Sequence, residues 1–373
     1  MERIYLDNNA TTILDPLVFK AMLQDLSGFP ANPSSVHHFG QRARGMLSQA
    51  RQKTAHFFGV KPEEVIFTSG GTESVHLMMQ SLRQKGHLIT TAIEHSCVYK
   101  TAQSLEAQGW VVDYLPCGLW GAPTAQQIQE AIRKDTKAMV FSASNTETGV
   151  KIDLEKIAAL AEERQIPLLI DAVAFIGKEP LLIPKGVSAL ALSGHKFHGP
   201  KGIGALIARS SFKIQPQLLG GSQEFQKRAG TENLAGILGL AEALSIVKER
   251  ELEIFDQITL LRLHLEKRLL SEIQDVQVNG EGQRISNTTN AGFLGVEGEA
   301  LLMHLDLAGI AVSHGSACSS GALEPSRVLT EMGIDRKIAR SSIRISLSRF
   351  TTREEIDRFV DVLVHLVEKL RNL

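Results

Sequence analysis

Lys196 is the residue of this 373-residue sequence whose position most favours covalent chemistry. It lies in the stretch SGHKFHGPKG (residues 193–202), directly after the apolar run 187–192, which is typical of a short buried strand. A lysine in a glycine-rich turn at a strand end can be held in a desolvated pocket, where burial lowers the pKa of its amine. The uncharged amine can then attack a carbonyl carbon and form a Schiff base. Because an isolated SGHK would better fit a solvated surface loop with two ordinary lysines, the rest of the chain must decide between the two interpretations.

A second candidate is the turn TSGGTE at residues 68–73, which follows a strand-like run and precedes a helix-like one. Two glycines let the backbone approach a ligand closely, and the free N–H groups and dipole at a helix start favour a phosphate. The turn is not a Walker A loop, because no Gly-Lys-Ser/Thr follows it. A helix cap by Ser69 or Thr72 would explain the turn equally well on its own.

Two further polar residues follow strand-like runs. His95 comes after residues 87–91 and offers a ring that could stack on a planar group, although a lone histidine is usually structural. Asp171 ends the apolar run 167–171, where a buried carboxylate is costly unless it has a partner. A pyridine nitrogen is a natural partner, because the acid keeps the nitrogen protonated and the ring an electron sink. With a lysine nucleophile and a phosphate turn, these residues favour pyridoxal 5′-phosphate (PLP) as the cofactor.

The composition is that of an ordinary globular protein. Hydrophobic residues make up 43% and charged residues 22%, and 40 basic against 41 acidic residues give a net charge of −1. We therefore expect no nucleic acid and no membrane as partner, and the sequence has neither an apolar N-terminal signal region nor a bilayer-length apolar run. Three widely spaced cysteines fit a reducing cytoplasm and argue against a disulfide framework or a zinc cluster. Cys97 and Cys117 are expected in packing or at the surface.

Strand-like and helix-like runs alternate through the first half of the chain, after an amphipathic helix predicted at residues 39–59. This alternation favours right-handed crossovers and a mostly parallel sheet covered on both faces. Residues 234–270 predict one or two helices. After them we expect short strands at 290–294, 310–313 and 342–348 and a final helix at 353–370. We predict a large domain at residues 15–255 and a small domain formed by residues 1–14 and 256–373.

Six motifs resemble, in identity and in order, those of NifS/IscS-like cysteine desulfurases, and the resemblance covers nearly the whole chain. They are DNNATT (7–12), TSGGTES (68–74), EH (94–95), SGHK (193–196), RAGTEN (228–233) and GSACSSG (315–321). The resemblance implies an α/β fold of the class V aminotransferases (PLP-dependent transferase fold type I). That fold has a large domain with a mostly parallel seven-stranded sheet and a small α+β C-terminal domain. It also implies a homodimer that converts L-cysteine to L-alanine and leaves the sulfur as a persulfide on an enzyme cysteine.

The resemblance also implies roles for single residues. The catalytic residues would be Lys196, His95 and Cys318: Lys196 holds PLP covalently and moves protons, His95 stacks on the ring, and Cys318 takes the sulfur. The cofactor would be held by Asp171 at the ring nitrogen and by Gly71, Thr72, Ser193 and His195 at the phosphate, with Thr231 of the partner subunit completing the set. The substrate would be bound by Arg344, Asn145 and Asn32. No resident metal is implied, although Cys318 could ligate an iron–sulfur cluster transiently.

Cys318 also stands out without the resemblance. Its neighbours are small residues with no apolar periodicity, which indicates an exposed and mobile loop. An exposed cysteine favours a functional role, since most cysteines are buried, although a loop cysteine can simply be tolerated. The continuation LEPS (residues 323–326) resembles the NifS/IscS subgroup rather than the SufS-like one. The expected sulfur acceptor is a protein such as an iron–sulfur scaffold, with thiolated tRNA as another destination.

Some positions depart from the family pattern. Thr146 stands where an asparagine is usual, and Ala174 where a glutamine usually binds the 3-oxygen of PLP; Ser222 and His314 replace a usual histidine and serine. Losing one hydrogen bond to a charged group costs about 1.5–3 kcal/mol. We therefore expect a working but atypical desulfurase. IscS-like proteins extend beyond the equivalent of residue 373 with a tail that helps to dock the scaffold, so delivery by that route is an open question.

Two alternatives remain at this point. One is a related PLP enzyme that acts on selenocysteine, cysteine sulfinate or another amino acid; loss of sulfide release but not of selenocysteine cleavage in Cys318→Ala would favour it. The other is a catalytically weakened homologue with a partner-binding role, for which Thr146 and Ala174 are the only support. A yellow protein that loses its colour with borohydride and forms alanine from cysteine would exclude it.

Overall fold

The computed structural model describes residues 3–28, 30–314 and 325–372. Its main sheet has seven strands in the order β2–β8–β7–β6–β5–β3–β4. The strands are Val65–Thr68 (β2), His87–Thr91 (β3), Val111–Leu115 (β4), Thr136–Ser142 (β5), Leu168–Asp171 (β6), Val187–Ser193 (β7) and Gly204–Ala208 (β8). Only β8 runs antiparallel to its neighbours β2 and β7. The predicted mostly parallel seven-stranded sheet is therefore confirmed.

Several strands of this sheet are apolar throughout because both of its faces are covered. Every residue of β2, β6 and β8 is buried, as expected for strands with helices on both sides. The helices of this part of the chain are Pro16–Leu26 (α1), His38–Phe58 (α2), Gly71–Gln80 (α3), Ser96–Ala107 (α4), Ala125–Ala131 (α5), Leu154–Arg164 (α6) and Leu234–Glu249 (α7). The strand β8 was not predicted. Its first residue, Gly204, packs so closely that a Cβ there would lie 2.5 Å from the carbonyl oxygen of Leu192.

The C-terminal part contains smaller sheets and further helices. Its helices are Glu251–Glu272 (α8), Gly298–Leu307 (α9), Arg327–Glu331 (α10), Arg336–Arg340 (α11) and Arg353–Arg371 (α12). The strands Val276–Val278 (β9), Thr288–Phe293 (β10) and Ser342–Ser346 (β12) form an antiparallel sheet. The N-terminal strand Ile4–Tyr5 (β1) pairs in parallel with Ile310–Ala311 (β11), so the chain begins in this second region.

Hydrophobic packing follows the same division. Two large clusters cover the two faces of the main sheet, and a third joins Ile4 and Leu6 to the apolar faces of α8 and α12. Ile254 belongs to this third cluster, although the predicted boundary places it in the large domain. The limits 15–255 and 256–373 stay a prediction, since packing clusters do not define a boundary. Within the described ranges, no helix is both long and apolar enough to span a membrane.

Candidate active site

The candidate site is a cavity of about 240 Å³ beyond the carboxyl ends of β5, β6 and β7. Parallel strands end at one edge of the sheet, and ligands of open α/β sheets bind there. Ser142 and Asp171 are paired across β5 and β6, so two polar strand ends meet directly. The predicted site residues that line the cavity are Gly71, Thr72, His95, Asp171, His195, Lys196 and Arg344.

Lys196 projects into this cavity from the tight turn Gly194–Lys196 that ends β7. Its Nζ donates hydrogen bonds to the carbonyl oxygens of Ala10 (3.1 Å) and Asn9. The N-terminal motif DNNATT therefore forms one wall of the cavity beside the lysine, as the order of motifs alone could not have shown. The lysine amine is thus held at the end of the sheet and close to Asp171.

Asp171 is the buried acid of the site and is 5% exposed. Its Oδ1 accepts a hydrogen bond from the backbone N–H of Val173 (3.0 Å), and the Cys97 thiol donates to its Oδ2 over 3.9 Å. Burial raises the pKa of Asp171, while the hydrogen bond from the Val173 backbone and the positive charge of Lys196 oppose the rise. A cationic ring nitrogen beside Oδ2 would restore the charged carboxylate, because a nearby opposite charge favours the ionised form.

His95 caps the N-terminus of α4, where its Nδ1 accepts the backbone N–H of Cys97 (3.2 Å). The imidazole is neutral, since burial and the charges of Lys196 and Arg327 lower its pKa. With Nδ1 as an acceptor, the proton lies on Nε2. His95 is therefore a neutral, fixed ring at the cavity wall, as stacking on a planar group requires.

The expectation for Cys97 needs correction. Its Sγ lies 2.9 Å from Nδ1 of His95 and contacts Asp171, so it lines the cavity instead of serving only in packing or at the surface. Burial and the charge of Asp171 raise the pKa of the Cys97 thiol, which keeps its proton at neutral pH. Cys117 is buried in a small apolar cluster with Ile93, as expected.

The N-terminus of α3 forms the phosphate end of the site. Gly70 has φ = 156°, and a Cβ on Gly71 would lie 2.5 Å from Cγ2 of Val173. These two positions therefore require glycine. Because glycine has no side chain, the first N–H groups of the helix are left uncovered. The same Cβ position is 3.5 Å from the Cβ of Ser193, so that buried serine lies beside the helix start.

His195 follows Ser193 at this end of the cavity. Its Nδ1 pairs with the hydroxyl of Thr11 (3.1 Å), and burial lowers its pKa to about 4. The imidazole is thus neutral at pH 7. Neutral donors and the helix dipole, rather than a charged histidine, are available to a phosphate here.

Arg344 lines the cavity from β12 and is 1% exposed. Its Nη2 pairs with Oδ1 of Asp7 (2.7 Å) and its Nη1 donates to the carbonyl oxygen of Thr146 (3.3 Å). Its buried Nε has no hydrogen-bond partner among the described residues. A guanidinium with an unused donor on a cavity wall suits a carboxylate ligand.

The remaining predicted residues lie apart from the cavity. Asn145 has its side chain committed to the backbone: Oδ1 accepts from Glu147 and Thr148, and Nδ2 donates to Ile93. Asn145 does not line the cavity, and one of its two Nδ2 hydrogens is not used in these bonds. Its predicted substrate contact stays a prediction. Asn32 caps its own turn by accepting from Ser34 N (2.9 Å).

Two further predicted positions cannot be placed in this cavity. Thr231 is exposed and does not line it, and the neighbouring Arg228 ties its loop to α3 through Glu73 (2.9 Å). Cys318 lies outside the described residues. Its role as a nucleophile stays a prediction.

The residues present fit PLP. A buried acid, a lysine amine and an uncovered helix start surround one cavity, and these are the three anchors that the cofactor's nitrogen, aldehyde carbon and phosphate need. The ligand atoms of His95, Cys97 and Asp171 lie within 4.8 Å of one another. The thiol of Cys97 is therefore a neighbour of the carboxylate that would meet the ring nitrogen.

Sequence reasoning missed the hydroxyl residues that follow β5. Ser142 and Ser144 line the cavity opposite the phosphate end, and Ala174 lies on the same wall. The signal was present in the polar run SASNTETG (residues 142–149), which follows a buried strand.

Comparison with known proteins agrees with this architecture. The family described as aminotransferase class-V matches residues 4–359. The chain is 42% identical to the cysteine desulfurase IscS of Dictyoglomus turgidum, over 99% of this chain and 96% of that protein. It is 41% identical to a cysteine desulfurase of Nostoc sp., over 100% and 95% of the two chains.

Solved structures agree as well. A NifS-like protein superposes with a TM-score of 0.92 at 33% identity, covering 99% of this chain and all of the other. SspA in complex with cysteine superposes with a TM-score of 0.79 at 32% identity, covering 94% of this chain and all of the other. The predicted fold type I is thereby confirmed. The chain belongs to the class V aminotransferases, the PLP-dependent family that includes the NifS/IscS-like cysteine desulfurases.

Proposed function

We propose that this protein is a PLP-dependent cysteine desulfurase that converts L-cysteine to L-alanine and transfers the sulfur to Cys318. The proposal rests on the meeting of Lys196, Asp171 and the α3 N-terminus around one cavity. It is supported by full-length similarity to proteins named cysteine desulfurase and by a related structure that holds cysteine.

Asp171, Lys196 and the Gly71–Thr72 turn would hold the cofactor's nitrogen, aldehyde carbon and phosphate. When bound there, PLP supplies an electron sink for the bonds at the substrate α-carbon. The Asp171 carboxylate keeps the ring nitrogen protonated. Because Asp171 is buried, water screens the attraction between the carboxylate and the protonated nitrogen only weakly. His95 covers the ring with a neutral imidazole.

Arg344 orients the substrate. Its unused Nε edge faces the carboxylate of L-cysteine, while Asp7 and the Thr146 carbonyl hold the rest of the guanidinium rigid. A fixed guanidinium presents its donors without losing side-chain freedom on binding. Lys196 then lies where it can take and return a proton at the substrate α-carbon.

Cys318 accepts the sulfur in this proposal. Its thiolate attacks the sulfur of L-cysteine, an S–S bond forms, and the C–S bond breaks. The electron pair of that bond stays with the carbon, which takes up a proton and becomes the methyl group of alanine. Ser326 and Arg327 follow the Cys318 segment in the chain and donate hydrogen bonds to the buried Glu147 carboxylate and the Glu94 carbonyl, respectively (2.6 Å for the latter). These two residues are therefore anchored next to Thr146 and His95 of the cavity.

A homodimer is part of the proposal. Thr231 is exposed, and it directly precedes α7, on which α1 packs. The outer face of α1 presents Leu17, Phe19 and Leu26, each at least half exposed. Exposed apolar patches of this kind mark protein interfaces. Analytical ultracentrifugation of the purified protein should give a molar mass twice that of the monomer if the dimer forms. Delivery of sulfur to an acceptor such as an iron–sulfur scaffold, and a cytoplasmic location, stay predictions.

The test of the function combines a spectrum with a product assay. The purified protein should be yellow with PLP, lose its visible band with borohydride, and form alanine and sulfide from L-cysteine in the presence of a thiol reductant. Lys196→Ala should abolish both the covalent band and alanine formation. Cys318→Ala should keep the band but lose sulfide release, whereas Cys117→Ala should retain both. A wild-type protein that binds PLP but forms no alanine from cysteine would refute the proposal.

A further inference from the structure

Ser144 carries a buried hydroxyl that the mechanism above does not use. The residue is 2% exposed, and its Oγ has no hydrogen-bond partner among the described residues. It lines the same cavity as Asp171 and Lys196. Buried hydroxyl groups are nearly always hydrogen-bonded, so an unpartnered hydroxyl on a residue that lines a cavity indicates a partner on the ligand.

The order of the strands indicates which ligand atom that partner is. Around the PLP ring, the 3-oxygen and the phosphate arm lie on opposite sides of the line from the ring nitrogen to the aldehyde carbon. Asp171 on β6 marks the nitrogen and Lys196 after β7 marks the aldehyde carbon. The phosphate end lies at the start of α3, which follows β2 in the chain. In the sheet, β2 and β7 lie on one side of β6, and β5 lies on the other side. The 3-oxygen must therefore face the end of β5, where Ser144 lies.

Three other groups on that wall are engaged or apolar. The hydroxyl of Ser142 donates to the carboxylate of Glu94. Ala174 presents only a methyl group. The carbonyl of Thr146 already accepts from Asn9 and from Arg344. The Ser144 hydroxyl is thus a donor in the right place without a competing partner among the described residues.

We propose that Ser144 is a cofactor-binding residue that donates a hydrogen bond to the 3-oxygen of PLP. The inference deepens the proposed function and rests on PLP binding at this site. The 3-oxygen carries its full negative charge when the neighbouring nitrogen contributed by Lys196 is unprotonated. A hydrogen bond donated to the oxygen favours this form and lowers the pKa of the nitrogen. The visible band of the cofactor changes at that pKa, so loss of the donor should raise the pH midpoint of the change.

The test compares Ser144→Ala with Ser81→Ala in the full-length protein. Ser81 is also buried, but its hydroxyl bonds Leu77 and Gln215 at the far end of α3. In Ser144→Ala the Kd for PLP should rise about tenfold and the pH midpoint of the visible band should rise by about one unit, as expected for one hydrogen bond to a charged oxygen. The melting temperature of the cofactor-free protein should not fall, because no protein hydrogen bond is lost. In Ser81→Ala the melting temperature should fall while the PLP Kd and the midpoint stay unchanged.

Two results would overturn the inference. The first is a Ser144→Ala variant with the wild-type PLP Kd and midpoint, whatever its melting temperature. The second is a wild-type protein that binds no PLP, which would overturn the proposed function too. A wild type that binds PLP beside an unaffected Ser144→Ala variant would refute only the role of Ser144.

Discussion

Gly71→Ala is the substitution that tests the phosphate end of the site most directly. A Cβ at this position would lie 2.5 Å from Cγ2 of Val173 and 3.5 Å from the Cβ of Ser193. The first distance is more than 1 Å below ordinary van der Waals contact, so either Val173 or the start of α3 must move. Overpacking of this kind typically costs about 1–3 kcal/mol of stability.

The same movement should weaken PLP binding. The N–H groups at the start of α3 are aimed by the turn at Gly70, and a shift of that turn lengthens several hydrogen bonds to the phosphate at once. A loss of about 1.4 kcal/mol corresponds to a tenfold rise in Kd. We therefore expect Gly71→Ala to raise the Kd for PLP about tenfold to hundredfold and to lower the free energy of unfolding by about 1–3 kcal/mol.

A double-mutant cycle with Val173→Ala identifies the cause. Removing the methyl that the new Cβ would strike should restore most of the stability and PLP affinity lost in Gly71→Ala, with a coupling energy of about 1 kcal/mol or more. Gly45→Ala on the exposed face of α2, where a Cβ meets nothing within 4 Å, is the matched control and should leave PLP binding unchanged. Chemical denaturation and fluorescence titration with PLP measure both quantities. Additive effects of the two substitutions would refute the steric reasoning.

Three further predictions follow from single side chains. Arg344→Lys should raise the KM for L-cysteine about tenfold with a smaller change in kcat, because lysine cannot keep its internal partners and bind a carboxylate together; equal losses in both constants would contradict the substrate role. Burial lowers the pKa of His198 to about 3. Between pH 6.5 and pH 3, position 198 is protonated in the unfolded chain but not in the folded protein. The free energy of unfolding should therefore fall as the pH falls, by up to about 1.4 kcal/mol per pH unit. His198→Asn should flatten this slope in denaturation at pH 4–6.5, and an unchanged slope would contradict it. Cys97→Ala removes a thiol donor from Asp171 and should weaken PLP binding about threefold, since a thiol is a weak donor, whereas Cys117→Ala should not change the titration.

Local pattern predicted the elements that carry the site because the rules involved act over short stretches. A short apolar run followed by a polar residue marks a strand end, and parallel strands all end at one edge of a sheet. Asp171 and Lys196 therefore could be placed at that edge from the sequence. The Gly70–Gly71 turn was identifiable for the same reason, because it joins a strand to a helix within a few residues. The family resemblance added the cofactor and the fold type, and both are confirmed by the comparisons.

Contacts between distant segments needed the tertiary structure. Arg344 and Asp7 are 337 positions apart, and Cys97 and Asp171 are 74 apart, so no local spacing indicates either contact. The same is true of Ser144, because only its surroundings show that its hydroxyl has no partner among the described residues.

Local sequence also does not show where a nearby backbone competes for a side chain. The Oδ1 of Asn145 closes its own turn, since short polar side chains readily bond the adjacent backbone, and its predicted substrate contact stays a prediction. The sequence by itself thus determined which residue types stand at the strand ends and hence the cofactor class. Only the tertiary structure decided which of their hydrogen-bonding groups are satisfied by the protein and which are left for a ligand, because that depends on segments far apart in the chain.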